Sequence, residues 1–357
     1  MDKKFNLGFV VCMIIGSIIL AGCASARSIA QDVHLIPTPE GAISVPPCDE
    51  PTWVVGEQEV CRFLVTPLPD EKVHIGTITE FVPLERGQRQ FHYTIVEDTP
   101  NQLLEPGQSV RDVPVRKLYV QDTVTGEQVR LGDDAGDAFF QVMTDQYVIW
   151  KYQWNGWAET TRKTGLYAHV LETGKEIIIA QEPDQPAYPE IDGSWVIYVK
   201  TLGARDYFID LYAFNLDTGE NLLVGDGVPY NRPFNNRPSS DYYAISDDKI
   251  AWIDGSWVVN IYDLTARTTR TLNIPDAKSS AVNVSIFAHT VVWWDRFWHG
   301  YDLQQDATFT IPTVPPGWEN ISVQPASPVT VKDDQLYWAL EVNREVYRFT
   351  APIIRSR

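Results

Sequence analysis

A recurring pattern constrains the fold of this 357-residue chain more than any other feature of its sequence. Leu-Tyr, five further residues and Thr-Gly begin at Leu118, Leu166 and Leu211, and the glycines of the three copies stand 48 and 45 residues apart. Weaker copies follow at Asn260–Arg267, His299–Asp306 and Val346–Phe349. Self-similarity at a period of this length is typical of proteins built from one repeated supersecondary unit.

Each copy after the first follows a short apolar run that comes after a polar turn. The runs are Tyr147–Trp150, Trp195–Tyr198, Ile250–Trp252, Val291–Trp293 and Leu336–Trp338. Apolar residues at successive positions of so short a run predict a strand that is covered on both faces. The Thr-Gly pair then predicts a hairpin turn, because glycine adopts the positive φ that such a loop needs. Arg267 and Asp306 replace this glycine in two copies, so we expect altered turns there.

Four antiparallel strands in every 40 to 50 residues, with no amphipathic helical pattern between them, predict an all-β fold, a β-propeller. We count six units, and five or seven blades remain open because the first unit is poorly defined. The last unit lacks an outer strand, and a strand from residues 53–66 would complete it and close the ring. The six units lie at about residues 75–131, 138–180, 187–224, 241–272, 282–311 and 328–350.

Two resemblances to known families follow from these residues. From about residue 75 to 350, the repeat resembles those of TolB-type and dipeptidyl-peptidase-type propellers, which implies a domain that binds proteins, peptides or glycans. At the amino terminus, Lys3 and Lys4 precede an apolar stretch that ends in Leu20-Ala21-Gly22-Cys23. This is a secretory signal, and its last four residues resemble the lipobox of bacterial lipoproteins. The alternative is an uncleaved signal anchor, since the stretch is just long enough to span a bilayer.

The lipobox resemblance implies cleavage before Cys23 and attachment of fatty acyl chains such as palmitate to that cysteine. The predicted domains are a signal peptide at 1–22, a proline-containing tether at 23–47 and the propeller at 48–357, with a closing segment at about 48–74. We therefore expect a protein of the cell envelope, anchored in a membrane through lipid on Cys23. For a cell with two membranes, the lipoprotein resemblance implies the outer membrane, because residue 24 is alanine and not aspartate; the expected location is the outer membrane or the cell surface.

Charge and cysteine content exclude several classes of function. The net charge is −18, and loss of Asp2, Lys3 and Lys4 with the signal makes it about −19. Nucleic acids and anionic lipid surfaces need a basic patch, so neither is expected as a partner. Cys48 and Cys61 remain after processing, and an even pair in an exported chain predicts a disulfide. No metal site or cofactor is expected, because histidines and further cysteines do not occur at ligand spacing.

The loops between second and third strands and the loops between units are expected at one end of the propeller, the loop face. They carry aromatic and arginine side chains of the kinds found in binding hot spots. The alternative is that several of them cap the blades, and Trp150, Trp252, Trp293 and Trp338 are assigned to the core. The candidate ligand-binding residues are Trp154, Trp157, Arg205, Tyr207, Tyr230, Arg232, Phe234, Arg237, Asp295, Arg296, Trp298 and Trp318.

The sequence favours binding over catalysis and assigns no catalytic residue. Ser194 and Ser256 lack the glycine context of a nucleophile elbow. The carboxylates Asp206, Asp210, Asp295 and Glu341 leave a carbohydrate-active enzyme, a glycoside hydrolase or lyase, as the alternative. Asp133, Asp134 and Asp137 offer calcium ligands, but a solvated turn is the preferred interpretation. A third hypothesis is a scaffold within an envelope assembly. For the binding hypothesis, the residues do not specify whether the ligand is a peptide, a protein or a glycan.

Overall fold

The computed structural model describes residues 53–55, 58–66, 71–80, 93–98, 115–154, 160–183, 186–205, 208–229, 242–272, 282–295, 297–312, 314–342 and 344–355. The predicted signal peptide, the tether with Cys23, and Cys48 lie outside the described residues. The described residues belong to one unit, Ile43–Arg357. They form strands joined by turns and contain no α-helix.

The first seven strands come from the amino-terminal part of the described chain. They are β1 (Trp53–Val55), β2 (Gln58–Phe63), β3 (Val73–Ile75), β4 (Ile78–Glu80), β5 (Tyr93–Asp98), β6 (Lys117–Asp122) and β7 (Gln128–Leu131). β5, β6 and β7 pair in that order and form the first sheet. The predicted first unit began at residue 75, which is wrong, because β3 and β4 belong to the closing sheet described below.

The second and third sheets each contain four strands in chain order. The second sheet has β8 (Gly136–Met143), β9 (Tyr147–Trp154), β10 (Gly165–Val170) and β11 (Glu176–Gln181). The third has β12 (Pro186–Asp192), β13 (Trp195–Arg205), β14 (Phe208–Asn215) and β15 (Asn221–Pro229). Neighbouring strands are antiparallel throughout, as short hairpin connections require.

The fourth and fifth sheets repeat this arrangement. The fourth sheet has β16 (Tyr243–Ser246), β17 (Lys249–Ile253), β18 (Val259–Asp263) and β19 (Thr268–Thr271). The fifth has β20 (Val282–Phe287), β21 (Thr290–Asp295), β22 (Phe297–Asp302) and β23 (Ala307–Ile311). The last three strands of the chain are β24 (Gln324–Lys332), β25 (Gln335–Val342) and β26 (Glu345–Arg355).

The closing sheet joins the two ends of the described chain. β24, β25 and β26 pair in order, and β4 pairs with β26 through Phe349↔Glu80 and Thr350↔Thr79. β3 pairs with the far end of β26, while β2 pairs with β4 and β1 with β2. Amino-terminal residues thus complete the last sheet. The sequence predicted that a strand within 53–66 would pair with the last strand of the chain. Residues 73–80 pair with β26 instead, and β2 lies one strand further out.

Contacts between sheets arrange these units as a propeller. The first strand of each of the second to fifth sheets contacts the first strand of the next, so β8, β12, β16, β20 and β24 lie side by side. The described strands thus form six sheets, of which the second to fifth and the closing sheet meet through their first strands, and the all-β propeller prediction is confirmed. The predicted frame tryptophans are also confirmed as core, because Trp150, Trp252, Trp293 and Trp338 are buried.

The turns explain why the repeat contains its particular residues. The Thr-Gly glycines have positive φ, at 75°, 67° and 75° for Gly126, Gly174 and Gly219. Arg267 and Asp306 adopt the same left-handed conformation, at 58° and 51°. Altered turns at these two positions were therefore a wrong prediction. An aspartate or asparagine at the start of the turn accepts hydrogen bonds from the following backbone N–H groups, which supports the turn even without glycine.

A second turn feature links the hairpins of the second to fifth sheets and of the closing sheet. In the second sheet the N–H of Leu171 donates to the carbonyl of Gln146 at 2.9 Å, and in the third Leu216 donates to Ser194 at 2.8 Å. Leu264, Leu303 and Ile353 make the corresponding bonds in later sheets. Because this leucine also buries its side chain in most copies, the sequence position is constrained by both packing and hydrogen bonding.

Candidate ligand-binding site

A cleft of about 550 Å³ opens at the loop face of the second sheet. It lies between the end of β9, the segment 160–164 that leads into β10, and the connection that leaves β11. An aromatic ring, two hydroxyls, two cationic side chains and one carboxylate line it. The lining residues are Trp154, Thr160, Thr161, Arg162, Lys163, Glu182 and Pro183.

Asp133 fixes one side of the segment 160–164, hereafter the anchored loop. Its carboxylate accepts hydrogen bonds from the hydroxyls of Tyr152 at 2.6 Å and Thr160 at 2.7 Å, and from the N–H of Ala135 at 2.9 Å. Burial alone would raise the pKa of Asp133, but these hydrogen bonds hold it below its usual value. Asp133 is therefore an ionised acceptor that joins the entry to the second sheet with the anchored loop.

Close packing around Tyr152 brings this acceptor into place. Gly136 begins β8 beside Tyr152, and a Cβ atom added to Gly136 would lie 2.4 Å from the carbonyl oxygen of Gln153 and 2.7 Å from the Tyr152 ring. Burial, followed by the bond to Asp133, raises the pKa of the Tyr152 phenol. The phenol accordingly remains a protonated donor to Asp133.

Three aromatic rings enclose the guanidinium of Arg162. Its central carbon lies 5.1 Å from the ring centre of Trp150, 5.6 Å from Tyr152 and 5.0 Å from Tyr167. Trp150 and Tyr167 stack with their centres 5.0 Å apart. One guanidinium nitrogen pairs with Glu176 at 2.7 Å. Cation–π attraction and the ion pair therefore hold Arg162 in one place.

Backbone hydrogen bonds complete the attachment of the anchored loop. The hydroxyl of Tyr167 donates to the carbonyl of Lys163 at 2.6 Å. The Thr164 hydroxyl accepts from the N–H of Trp154 at 3.1 Å, and the Thr164 carbonyl accepts from the N–H of Glu182 at 2.9 Å. Each of the three walls of the cleft is thereby tied to another wall, so the cleft is formed before any ligand arrives.

Trp154 is the predicted binding residue that the structure places in this cleft. It ends β9 with 46% of its surface exposed. Thr161, Lys163, Glu182 and Pro183 are exposed around it. The sequence interpretation missed these four residues and the role of Asp133; three threonines within five residues, at 160, 161 and 164, were the available signal.

Two predicted binding residues are wrong, because they are core residues. Trp298 is 1% exposed on β22 and packs edge-on against Trp294, 5.1 Å between ring centres. Trp318 is fully buried, with ring centres 5.2 Å from Tyr347 and 5.6 Å from Phe349. A turn closed by the N–H of Trp318 and the carbonyl of Pro315, at 3.1 Å, directs its side chain into the closing sheet. A loop position in the sequence did not mean an exposed side chain.

Other predicted site residues are not described at the level of their side chains. Arg205 ends β13 and Asp295 ends β21, and for both the backbone alone is described. The remaining candidates lie outside the described residues: Trp157, Tyr207, Tyr230, Arg232, Phe234, Arg237 and Arg296. Cys61 is on β2, and its pairing with Cys48 stays a prediction because Cys48 also lies outside.

The three aspartates considered as calcium ligands have separate partners. Asp133 accepts hydrogen bonds from the hydroxyls of Tyr152 and Thr160. Asp134 forms an ion pair with Arg130 at 2.7 Å, and Asp137 accepts a hydrogen bond from the N–H of Arg116 at 2.6 Å. Within the described ranges, no group of three or more histidine, cysteine, aspartate or glutamate side chains is placed to hold a metal ion. The arrangement at the cleft suits recognition through ring contact and hydrogen bonding.

Comparisons with known proteins give structural similarity alone. No family model matches the chain, and no curated protein matches it. The structure of TolB from Acinetobacter baumannii aligns at 12% identity over 68% of this chain and 61% of that chain, with a TM-score of 0.34. The chain thus spans less than two thirds of that protein.

Two further solved structures are similar over more of their length. The β-propeller domain of the Trilobed protease from Pyrococcus furiosus aligns at 9% identity over 83% of this chain and 84% of that domain, with a TM-score of 0.45. BamB from Moraxella catarrhalis aligns at 12% identity over 78% and 81%, with a TM-score of 0.39. Because all three scores are below 0.5, the fold assignment is based on the sheet topology.

Proposed function

We propose that this chain is a lipid-anchored protein of the cell envelope whose loop face binds a peptide, protein or glycan without chemical turnover. The observation that carries the proposal is the preformed cleft with exposed Trp154 at its edge. A large aromatic side chain that folding does not bury adds apolar contact area to a ligand and loses little entropy on binding.

The lining of the cleft favours binding over hydrolysis. Glycoside cleavage uses two carboxyl groups about 5 to 10 Å apart. Among the described residues that line the cleft, Glu182 is the one carboxylate. Asp133 is close by, but its oxygens accept hydrogen bonds from Tyr152 and Thr160 and orient the anchored loop. Asp133, Tyr152 and Thr160 therefore stabilise the conformation of the cleft, as a binding protein requires.

The anchor is tested by replacing Cys23. The lipobox supports lipidation of this residue, which lies outside the described part of the chain. Within the described residues, no helix has the length and apolar character needed to cross a membrane. We expect Cys23→Ala to yield an unprocessed or released protein on fractionation. A processed variant that stays in the membrane fraction would contradict the anchor and leave the binding proposal standing.

Binding is tested with the full chain in detergent, immobilised and presented with arrayed peptides, arrayed glycans and envelope extract. Trp154→Ala is compared with Phe208→Ala, because Phe208 is also an exposed aromatic residue, at the start of β14. We expect at least one ligand that the wild type and Phe208→Ala retain and Trp154→Ala loses. Identical capture by all three proteins would overturn the proposal.

A further inference from the structure

The charges at the cleft show which kind of ligand it accepts. Arg162 is paired with Glu176 and enclosed by three rings, so its charge is already balanced within the protein. In the described part of the lining, the other ionisable side chains are Lys163 and Glu182, whose charges are opposite. The chain as a whole carries a net charge of −18, which repels anions. The net negative charge thus selects against an acidic ligand, while the exposed ammonium of Lys163 repels a cationic one at the cleft itself, so an uncharged ligand fits best.

The remaining groups at the cleft suit a ligand with one apolar face and a polar edge. Trp154 presents part of its indole, and Pro183 also lines the cleft. Thr161 offers a hydroxyl, Lys163 an ammonium donor and Glu182 a carboxylate acceptor. A pyranose ring matches this set, because its C–H face stacks on an aromatic ring while its hydroxyls both donate and accept hydrogen bonds.

A peptide fits the same walls less well. Peptide anchors are apolar or aromatic side chains that insert into enclosed pockets. This cleft is open to solvent, and five of the seven lining residues that the structure describes are threonine, lysine, arginine or glutamate. We infer that the cleft bounded by Trp154, the anchored loop and the Glu182–Pro183 segment is a binding site for neutral oligosaccharides, with Trp154 as the stacking platform. This inference rests on the proposed function and names its ligand class.

The rigidity of the cleft supports a saccharide as well. Each sugar forms hydrogen bonds that replace bonds to water, so its net affinity is small unless the protein groups are already in position. Asp133, Tyr167 and Thr164 fix the anchored loop through bonds of 2.6 to 3.1 Å before binding. Binding therefore requires little further ordering of the protein, and little conformational entropy is lost.

The test is isothermal titration calorimetry on the full chain in detergent. The probes are neutral hexasaccharides built from glucose (β-1,4 and α-1,4), mannose and N-acetylglucosamine, with a hexamer of galacturonic acid as the acidic comparison. At least one neutral probe should bind, with an affinity that changes less than about twofold between low and high salt. Trp154→Ala should weaken it at least about tenfold, Trp154→Phe less, and Phe208→Ala should match the wild type.

The outcomes separate this inference from the proposed function. Absence of binding to all neutral probes, or salt-sensitive binding of the acidic hexamer alone, would overturn the saccharide assignment. If Trp154→Ala instead loses an arrayed peptide or envelope protein, the binding function stands and the ligand class is wrong. If Trp154→Ala changes no interaction while its thermal unfolding matches the wild type, both proposals fail.

Discussion

The two ends of the propeller differ in how they use arginine. At the end that carries the turns between third and fourth strands, arginines join neighbouring sheets: Arg267 pairs with Glu220, and Arg355 pairs with Asp302. At the loop face, Arg162 pairs with Glu176 of its own sheet and lies against three rings. One end therefore stabilises the ring of sheets, while the other fixes a single loop and leaves Trp154 exposed.

Left-handed backbone conformations occur at the end where arginines join neighbouring sheets. Arg267 and Asp306 have positive φ at positions where other copies have glycine. A non-glycine residue in this region costs about 1 kcal/mol. In return, Arg267 bridges the fourth sheet to the third, and Asp306 accepts hydrogen bonds from Arg270 of the fourth sheet and from Tyr301. Replacement of glycine by Arg267 and Asp306 thus strains the backbone but adds contacts between sheets.

Among the arginine variants, the largest effect on stability is expected from Arg355→Met. Asp302 is fully buried, and Arg355 supplies its ion pair while also donating to Thr290 at 3.0 Å and pairing with Asp334 at 3.0 Å. Removing the arginine leaves a buried carboxylate without its cation, which should cost about 3 to 5 kcal/mol in urea unfolding. Adding Asp302→Asn to the same variant should restore part of the loss. A change below about 1 kcal/mol would mean that Asp302 does not need its partner.

Glu190, which lies at neither end of the propeller, should make the free energy of unfolding depend on pH. It lies on β12, the first strand of the third sheet, and burial raises its pKa to about 8 from an ordinary value of 4.5. The folded state therefore favours the protonated form, and the stability that this adds is complete below pH 4.5 and is lost as the pH rises through 8. Because the side chain is partly exposed, we expect the loss to be about 1 to 3 kcal/mol.

Glu190→Gln should remove this pH dependence. The variant should be more stable than the wild type at pH 8 and equal to it near pH 4.5, as measured by urea unfolding at both values. Arg267→Gly, which removes an exposed pair with Glu220, should show the same pH slope as the wild type. Parallel profiles for Glu190→Gln and the wild type would show that the carboxyl titrates normally.

A smaller effect is expected from Arg162→Met at the loop face. The guanidinium is about one quarter exposed, so its cation–π contacts and its pair with Glu176 should contribute about 1 to 2 kcal/mol. The anchored loop should also lose its position, and ligand binding should fall with it. Arg162→Lys keeps the charge but loses the planar contact with the rings, so it should resemble Arg162→Met in binding. Full binding by Arg162→Lys would contradict the role of the ring contacts.

The smallest effect is expected from Arg267→Gly. Glycine relieves the left-handed conformation, while loss of the exposed pair with Glu220 and of the cation–π contact with Trp195 removes about 1 kcal/mol. The two changes oppose each other, and the free energy of unfolding should move by less than about 1 kcal/mol. Glu220→Gln, which removes the pair and keeps the strain, should be the less stable of the two. The reverse order would show that the conformation of Arg267 is unstrained.

The repeat predicted the sheets because hydrophobic periodicity and turn residues act locally. Spacing of the Thr-Gly pairs located the hairpins, and the apolar runs located the buried tryptophans. The order of strands in the closing sheet depends on contacts between the ends of the described chain, which local patterns do not encode. Residues 73–80 therefore displaced the strand that the sequence had suggested.

The binding residues were harder to predict for a related reason. Trp154 and Trp318 both lie near loops in the sequence, yet one is exposed and the other is buried among Phe63, Tyr347 and Phe349. The difference depends on which surface a loop covers, and that surface comes from distant strands. Asp133 was likewise assigned to a solvated turn, because its partner Thr160 is 27 residues away.

Two tryptophans on one strand provide the most direct test of the account. Trp150 is fully buried in the middle of β9, and Trp154 is 46% exposed at its end. Thermal unfolding and hexasaccharide titration should be measured for Trp150→Ala and Trp154→Ala in the full chain. We predict that Trp150→Ala loses about 3 to 5 kcal/mol of stability, whereas Trp154→Ala unfolds within about 0.5 kcal/mol of the wild type and loses the ligand. A Trp154→Ala variant that unfolds as readily as Trp150→Ala would show that Trp154 is a core residue and would contradict the binding face.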